Sequence, residues 1–200
     1  PVYRGSQFLT ISSLVFIPIF KQKYLLFADS WFYKNKNLVL AIFIIMMQLN
    51  LPVYPFRIKT VDGRRSIFDT FRKRWVALTP EEWVRQHFVR FLAEELGYPV
   101  ALIAVERSLK INQHDFRADV VVFSRTGNPL LVVECKAPEV KIGQQVFDQV
   151  ARYNLDFQVD WLVVTNGLSH YCCRLDRANN RCIFAEQIPY YETINQSVNS

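Results

Sequence analysis

Residues 117–138 read RADVVVFSRTGNPLLVVECKAP, and the reading of this stretch decides the fold. Two apolar runs, 120–123 and 130–133, flank a Gly-Asn-Pro tip, the pattern of two buried strands joined by a short loop. Three ionisable residues stand where a purely structural strand would not hold them. Asp119 sits at the mouth of the first strand, and Glu134 and Lys136 at the end of the second. Buried charge is costly unless it is paired or bound to a metal.

With the loop taken as residues 124–129, Phe123 pairs with Leu130, and counting back along the ladder sets Asp119 opposite Glu134. Side chains alternate along a strand, so Glu134 and Lys136 share one face while Cys135 points to the other. Two carboxylates and one ammonium then converge at one end of the sheet. Carboxylates that close repel one another and raise a pKa unless a divalent cation lies between them. Hard oxygen ligands suit Mg2+ or Mn2+.

Asp119 followed, after fourteen residues, by Glu134-Cys135-Lys136 resembles the PD-(D/E)XK nuclease core. Gln149 to Tyr153, QVARY, is similar to the QxxxY helix found beside that core in several nuclease branches. The nearest resemblance is to the short form of the N-terminal nuclease domain of type I restriction enzyme R subunits, over roughly residues 79–176. One departure is Ala118, where the motif has proline. The resemblance implies an α/β fold with a restriction-endonuclease-like mixed central sheet flanked by helices. Strands at 101–109, 120–123, 130–136 and 161–165 would form its centre.

It also implies Mg2+-dependent hydrolysis of DNA, with Mn2+ as a substitute. Asp119, Glu134 and the backbone carbonyl of Cys135 would hold the metal, and Lys136 would orient or deprotonate the attacking water. Gln149 would contact a metal-bound water or a phosphate with Tyr153 fixing its pose, although both could simply anchor the helix. In this nuclease group a glutamate on the first helix often points to the metal, and Glu81 is the better candidate because Glu82 serves the helix cap. Arg117, two before Asp119, could touch a phosphate or pair with a neighbouring carboxylate.

At 200 residues, half of them apolar, the chain can bury one core and has no room for a helicase motor. Motor, methylase and specificity functions would belong to separate chains. The net charge of +6 is unevenly spread: residues 51–74 carry seven basic and two acidic side chains, whereas residues 75–200 are net negative. Arg64, Arg65, Arg72, Lys73 and Arg74, interleaved with Phe68, Phe71 and Trp75, could track a nucleic-acid strand; a solvated basic arm explains the same charge. Cys135, Cys172, Cys173 and Cys182 lack zinc-site spacing and read as reduced thiols of a cytoplasmic protein.

Residues 1–46 form an apolar N-terminal extension with a ten-residue apolar run at 38–47, too short to span a membrane. Translation from Met46 or Met47 would remove it. Residues 47–78 read as a basic arm, with a hairpin turn or irregular chain at Asp62-Gly63. The nuclease-like domain then spans 79–190. Thr79-Pro80-Glu81-Glu82 opens a helix with a capping box, Val84, Phe88, Phe91 and Leu92 give its apolar stripe, and Gly97 ends it. Residues 110–116 read as a polar loop with a surface His114. A further helix is expected over 143–157. Asn166-Gly167 reads as a type I′ turn, 181–188 as an edge strand and 191–200 as a disordered tail.

A non-catalytic nucleic-acid-binding or assembly module keeping the same fold is the alternative. Intact Asp119, Glu134 and Lys136 argue against it, since a retired site has no reason to keep charge in a core. A membrane-tethered accessory protein is a third reading and depends on residues 1–46.

Overall fold

The computed structural model describes residues 48–111, 114–143, 159–176, 179 and 181–196, with backbone alone at 107–111 and 114–117. All of them lie in the second of the two units into which the chain divides, 47–200. The apolar extension, Gln149 and Tyr153 lie outside the described residues, as does residue 144 onward of the helix expected over 143–157. Among the described residues no helix is long and apolar enough to cross a membrane.

The segment read as a basic arm is a three-stranded antiparallel sheet: β1 (Ile58–Val61), β2 (Arg64–Asp69) and β3 (Arg74–Ala77). Asp62 (φ 50°) and Gly63 (φ 73°) are both left-handed, as a two-residue type I′ turn requires. Ile58, Ile67 and Val76 align across the three strands, and Ile67 is fully buried. That apolar row gives the small sheet an inner face.

Helix α1 (Pro80–Glu94) starts as its sequence requires. Thr79 Oγ1 accepts from the Glu82 backbone N–H at 3.1 Å, and Pro80 occupies the first turn, where no N–H is needed. The other half of the capping box does not form. The Glu82 carboxylate is buried and takes hydrogen bonds from Arg72, Arg85 and Gln86 instead. At the far end Gly97 (φ 72°) reverses the chain and Tyr98 N–H donates to Leu92 O at 3.0 Å.

The main sheet has six strands: β4 (Ile103–Ile111), β5 (His114–Phe123), β6 (Pro129–Cys135), β7 (Trp161–Thr165), β8 (His170–Asp176) and β9 (Arg181–Ala185), in that order. Among the described residues only the β6–β7 pair is parallel, so the sheet is mixed. The period of two sorts its valines. Val120, Val122, Val133 and Val163 pack under α1 with Val84, Phe88 and Leu92, whereas Val121, Val132, Leu162 and Val164 form a second cluster on the opposite face. Each such fully buried side chain contributes about 1.5–3 kcal/mol.

Five expectations are corrected. The polar stretch 110–116 is mostly strand, with Lys110 paired to Asp115 and Ile111 to His114. Polar residues can extend a hairpin whose ladder is already nucleated by the buried valines, because the backbone pairs regardless of side chain. The first core strand starts at Ile103, since Val100–Leu102 is a 3-10 turn, and the edge strand stops at Ala185. The expected tail contains helix α2 (Tyr191–Gln196), with Tyr191 and Ile194 each 1 % exposed; Tyr191 packs edge-on to Tyr98 at 5.6 Å. Two apolar residues three apart suffice to dock one short helix.

The fifth correction is Asn166-Gly167. The ladder ends at Thr165–His170, so four residues connect β7 to β8, and of the central pair only Gly167 (φ 81°) is left-handed. Asn166 Oδ1 accepts from the backbone N–H of Leu168 (3.0 Å) and Ser169 (2.8 Å), and its amide donates to Val140 O at 2.8 Å. An Asx turn has replaced the type I′ turn. A Cβ on Gly167 would stand 2.6 Å from Leu49 Cδ2 and 3.1 Å from Val84 Cγ2. Gly167→Ala is therefore expected to destabilise by about 2 kcal/mol, from left-handed backbone strain plus crowding under α1, read as a shift in the urea midpoint.

Candidate active site

The β5–β6 hairpin positions the charged residues. Its inner register is the expected one, Val120 opposite Val133 and Val122 opposite Leu131, so the next step sets Asp119 beside Glu134. A bulge pairs Phe123 with Pro129 and shortens the loop to 124–128, but it lies at the tip and leaves the inner pairs unchanged. Glu134 and Lys136 share a face: Lys136 Nζ donates to Glu134 Oε1 at 2.7 Å. Cys135 points the other way, fully buried in the cluster beneath α1. Its backbone N–H donates to Asp119 Oδ2 at 2.7 Å, which ties the end of β6 to the mouth of β5.

The electrostatics of this corner are those of crowded carboxylates. Burial, then the charge of Glu134, raise the Asp119 carboxyl to about 6, against the Cys135 N–H, Lys136 and Arg85. Glu81, in the first turn of α1, is also raised, first by burial and then by the charge of Asp119. Glu81 is exposed in the sense that water reaches it, yet its carboxylate is close enough to Asp119 and Lys136 to feel both. Burial opposes the charge on Lys136, but the hydrogen bond and charge of Glu134 outweigh it and hold the ammonium above its usual range. Three carboxylates thus act on one ammonium, Glu134 by direct contact.

Among the described residues no three His, Cys, Asp or Glu side chains stand close enough to hold a metal ion alone. The donor set nevertheless fits Mg2+ or Mn2+. Mg2+ is usually held by one or two carboxylates and completes its shell with waters and substrate phosphate, and a divalent cation would relieve the repulsion that raises Asp119. Asp119 and Glu134 would supply the pair. Arg117 lies in β5 two residues before Asp119, paired in register with Ser108.

A buried ion network behind this corner was not legible from the motif. Arg72 donates through Nη2 to Glu82 Oε1 (2.9 Å) and pairs through Nη1 with Glu106 Oε2 (2.6 Å), while its Nε meets Asp69 Oδ2. Arg85 bonds Asp69 Oδ2 through Nη2 (2.7 Å) and Glu82 Oε2 through Nε (2.9 Å). Glu106 is left-handed (φ 46°) at the point where the β4–β5 ladder skips the step opposite Asp119. Burial alone would raise the Asp69 carboxyl; the Arg72 N–H and the two guanidinium groups outweigh it and hold it below its usual range. The one local signal was Glu82, Arg85 and Gln86 at helical spacing; Asp69, Arg72 and Glu106 reach it only through the tertiary fold.

A cleft of about 310 Å³ is lined by Phe91, Leu96, His170 and Ile188 among others and contains none of the charged set. It is mainly apolar and lies towards β8 and β9. The crowded charged side chains therefore lie at the sheet end and not in the cleft.

The fragment structure described as that of an HsdR subunit of a type I restriction enzyme from Vibrio vulnificus YJ016 is similar at 18 % identity and a TM-score of 0.45, covering 60 % of this chain and 25 % of that one. No curated protein matches. Residues 80–189, from the first residue of α1 to just beyond β9, match the family described as type I restriction enzyme R protein N terminus. That match takes in α1 and all six strands of the main sheet, more than half of the chain, and so the chain belongs to the family of type I restriction enzyme R protein N termini.

Proposed function

We propose that this domain hydrolyses phosphodiester bonds of DNA, with Mg2+ or Mn2+, as the cutting part of a restriction system acting in the cytoplasm. The observation that carries the reading is the corner where Asp119 comes beside Glu134 and Lys136 is held 2.7 Å from Glu134, with Glu81 near enough for the charge of Asp119 to raise its carboxyl. Asp119, Glu134 and the backbone carbonyl of Cys135 would hold the cation, with Glu81 as a further carboxylate. When bound, the metal supplies Lewis acidity at the phosphate and makes a water more acidic.

The chain's own residues do the rest. Cys135 N–H fixes the Asp119 carboxylate through Oδ2 and leaves its other oxygen for the cation. Lys136, kept as an ammonium by Glu134, acts by orienting the attacking water and offsetting charge at phosphorus; a base role would first require it to lose that proton. Gln149, Tyr153 and Arg117 would contact the water or the phosphate. Motor, methylase and specificity functions would come from other subunits.

The test is cleavage of closed plasmid DNA by the full chain. Nicking or linearisation with Mg2+ or Mn2+ is expected, absent in EDTA and restored when metal is added back in excess. Metal binding by calorimetry without cleavage would point to a required partner chain. Neither binding nor cleavage would sink the reading.

A further inference from the structure

The outer face of the β1–β3 sheet carries cations and no carboxylate. Alternation from the buried row Ile58, Ile67 and Val76 places Lys59 and Val61 of β1, Arg64, Ser66 and Phe68 of β2, and Trp75 and Ala77 of β3 on that face. Arg57 joins it: its guanidinium lies 3.7 Å over the Phe68 ring, and its carbonyl accepts from Phe68 N–H at 2.9 Å. Lys59 Nζ lies 4.4 Å over Trp75, and Phe68 and Trp75 meet edge-on at 5.4 Å. Arg57, Lys59, Arg64 and Trp75 are exposed. Of the nearby acids, Asp62 lies in the turn and Asp69 faces inward, bound to Arg72 and Arg85.

We propose that this face contacts the phosphate backbone of duplex DNA and delivers the duplex to the corner at Asp119, an inference that rests on the nuclease reading. Each of these two aromatic rings has one face covered by a cation. What they do is hold two flexible cations in place, which lowers the entropy lost when each meets a phosphate. The result is backbone contact without sequence readout. This revises the set expected from sequence: Arg72 is consumed by the buried network, and Phe71 packs against the core. The same network fixes the sheet to α1, because Asp69 at the end of β2 binds Arg85 and Glu82 is next to Glu81. A duplex held on this face is therefore held by an element rigidly joined to the helix that carries Glu81.

The test measures anisotropy of a labelled 30-bp duplex with the full chain in EDTA, where no cleavage occurs, across a range of KCl. Arg57→Gln/Lys59→Gln/Arg64→Gln is expected to lower affinity by about tenfold for each cation removed and to flatten the log K against log[salt] slope by nearly one for each phosphate no longer neutralised. Lys59→Gln alone should show one such step, and Arg57→Lys/Arg64→Lys should retain binding. A charge-matched control, Arg125→Gln/Arg174→Gln/Arg181→Gln, should bind like the wild type. Equal losses in the two triple variants, or an outer-face variant with wild-type slope, would overturn the proposal. Because binding is read without metal, its failure is separate from that of the nuclease reading: a chain that binds through this face but does not cut indicts only the corner.

Discussion

Asp119→Asn is expected to remove metal-dependent cleavage by about a thousandfold while making the metal-free protein more stable at neutral pH. The first effect follows from losing one of two carboxylate ligands and with it several kcal/mol of Lewis-acid stabilisation. The second follows from the strained ionisation of Asp119. Its carboxyl titrates near 3.8 in the unfolded chain and at about 6 in the fold, where burial and Glu134 oppose the charge. Below pH 4 the group is neutral in both states and imposes no penalty. Between pH 4 and 6 only the folded state holds the proton, so stability falls as pH rises, and above 6 the full penalty applies, on the order of 2–3 kcal/mol. Asparagine carries no charge and can still accept from Cys135 N–H. Urea unfolding in EDTA at pH 4.5 and 7.5 should show the variant ahead by about 1 kcal/mol at the lower pH and on the order of 2–3 kcal/mol at the higher. A wild type as stable as the variant at pH 7.5 would contradict the crowded-carboxylate account.

Arg85→Leu is expected to cost about 3–5 kcal/mol, the largest loss of stability predicted for a single substitution here. Asp69 and Glu82 are 1 % and 8 % exposed, and two guanidinium groups serve them. Without Arg85, Arg72 must serve both and Glu106 as well. Arg85 Nη1 is itself buried with no hydrogen-bond partner among the described residues, which lowers the net contribution but not the cost of leaving two buried acids underpaired. The variant has a second readout. Arg85 counts among the influences that lower the Asp119 carboxyl, so its removal should move the pH at which Mg2+ binds, and cleavage begins, to higher values. A loss below 1 kcal/mol with an unchanged pH profile would mean that the network is solvated and isolated from the corner.

Local patterns carried much of this fold. The two valine runs and the Gly-Asn-Pro tip placed the β5–β6 hairpin in its correct inner register, because a one-residue slip would have turned every valine to the wrong face. The helix start at Thr79 and stop at Gly97 were equally readable, since capping depends on neighbours in sequence. The strand at 161–165 was legible as an apolar run of strand length. Patterning weakened where it depended on side chains that do not decide pairing, as in residues 110–116, and where a turn could be satisfied in two ways, as at Asn166.

By itself the sequence determined which residues would meet at the sheet end: Asp119, Glu134 and Lys136 follow from period two and one register, both local properties. The sequence also favoured Glu81 over Glu82, but for a cap bond that Glu82 does not make; only the tertiary structure decided what occupies Glu82 and what the basic segment does. Glu82 was drawn into a pair of arginines from different elements, leaving Glu81 beside Asp119, and the cations were divided between a buried network and an outer sheet face. Desolvation sets that division: a buried charge must find every partner it needs, and those partners lie 3 to 24 residues from Glu82 along the chain, at Arg85, Arg72, Asp69 and, through Arg72, Glu106.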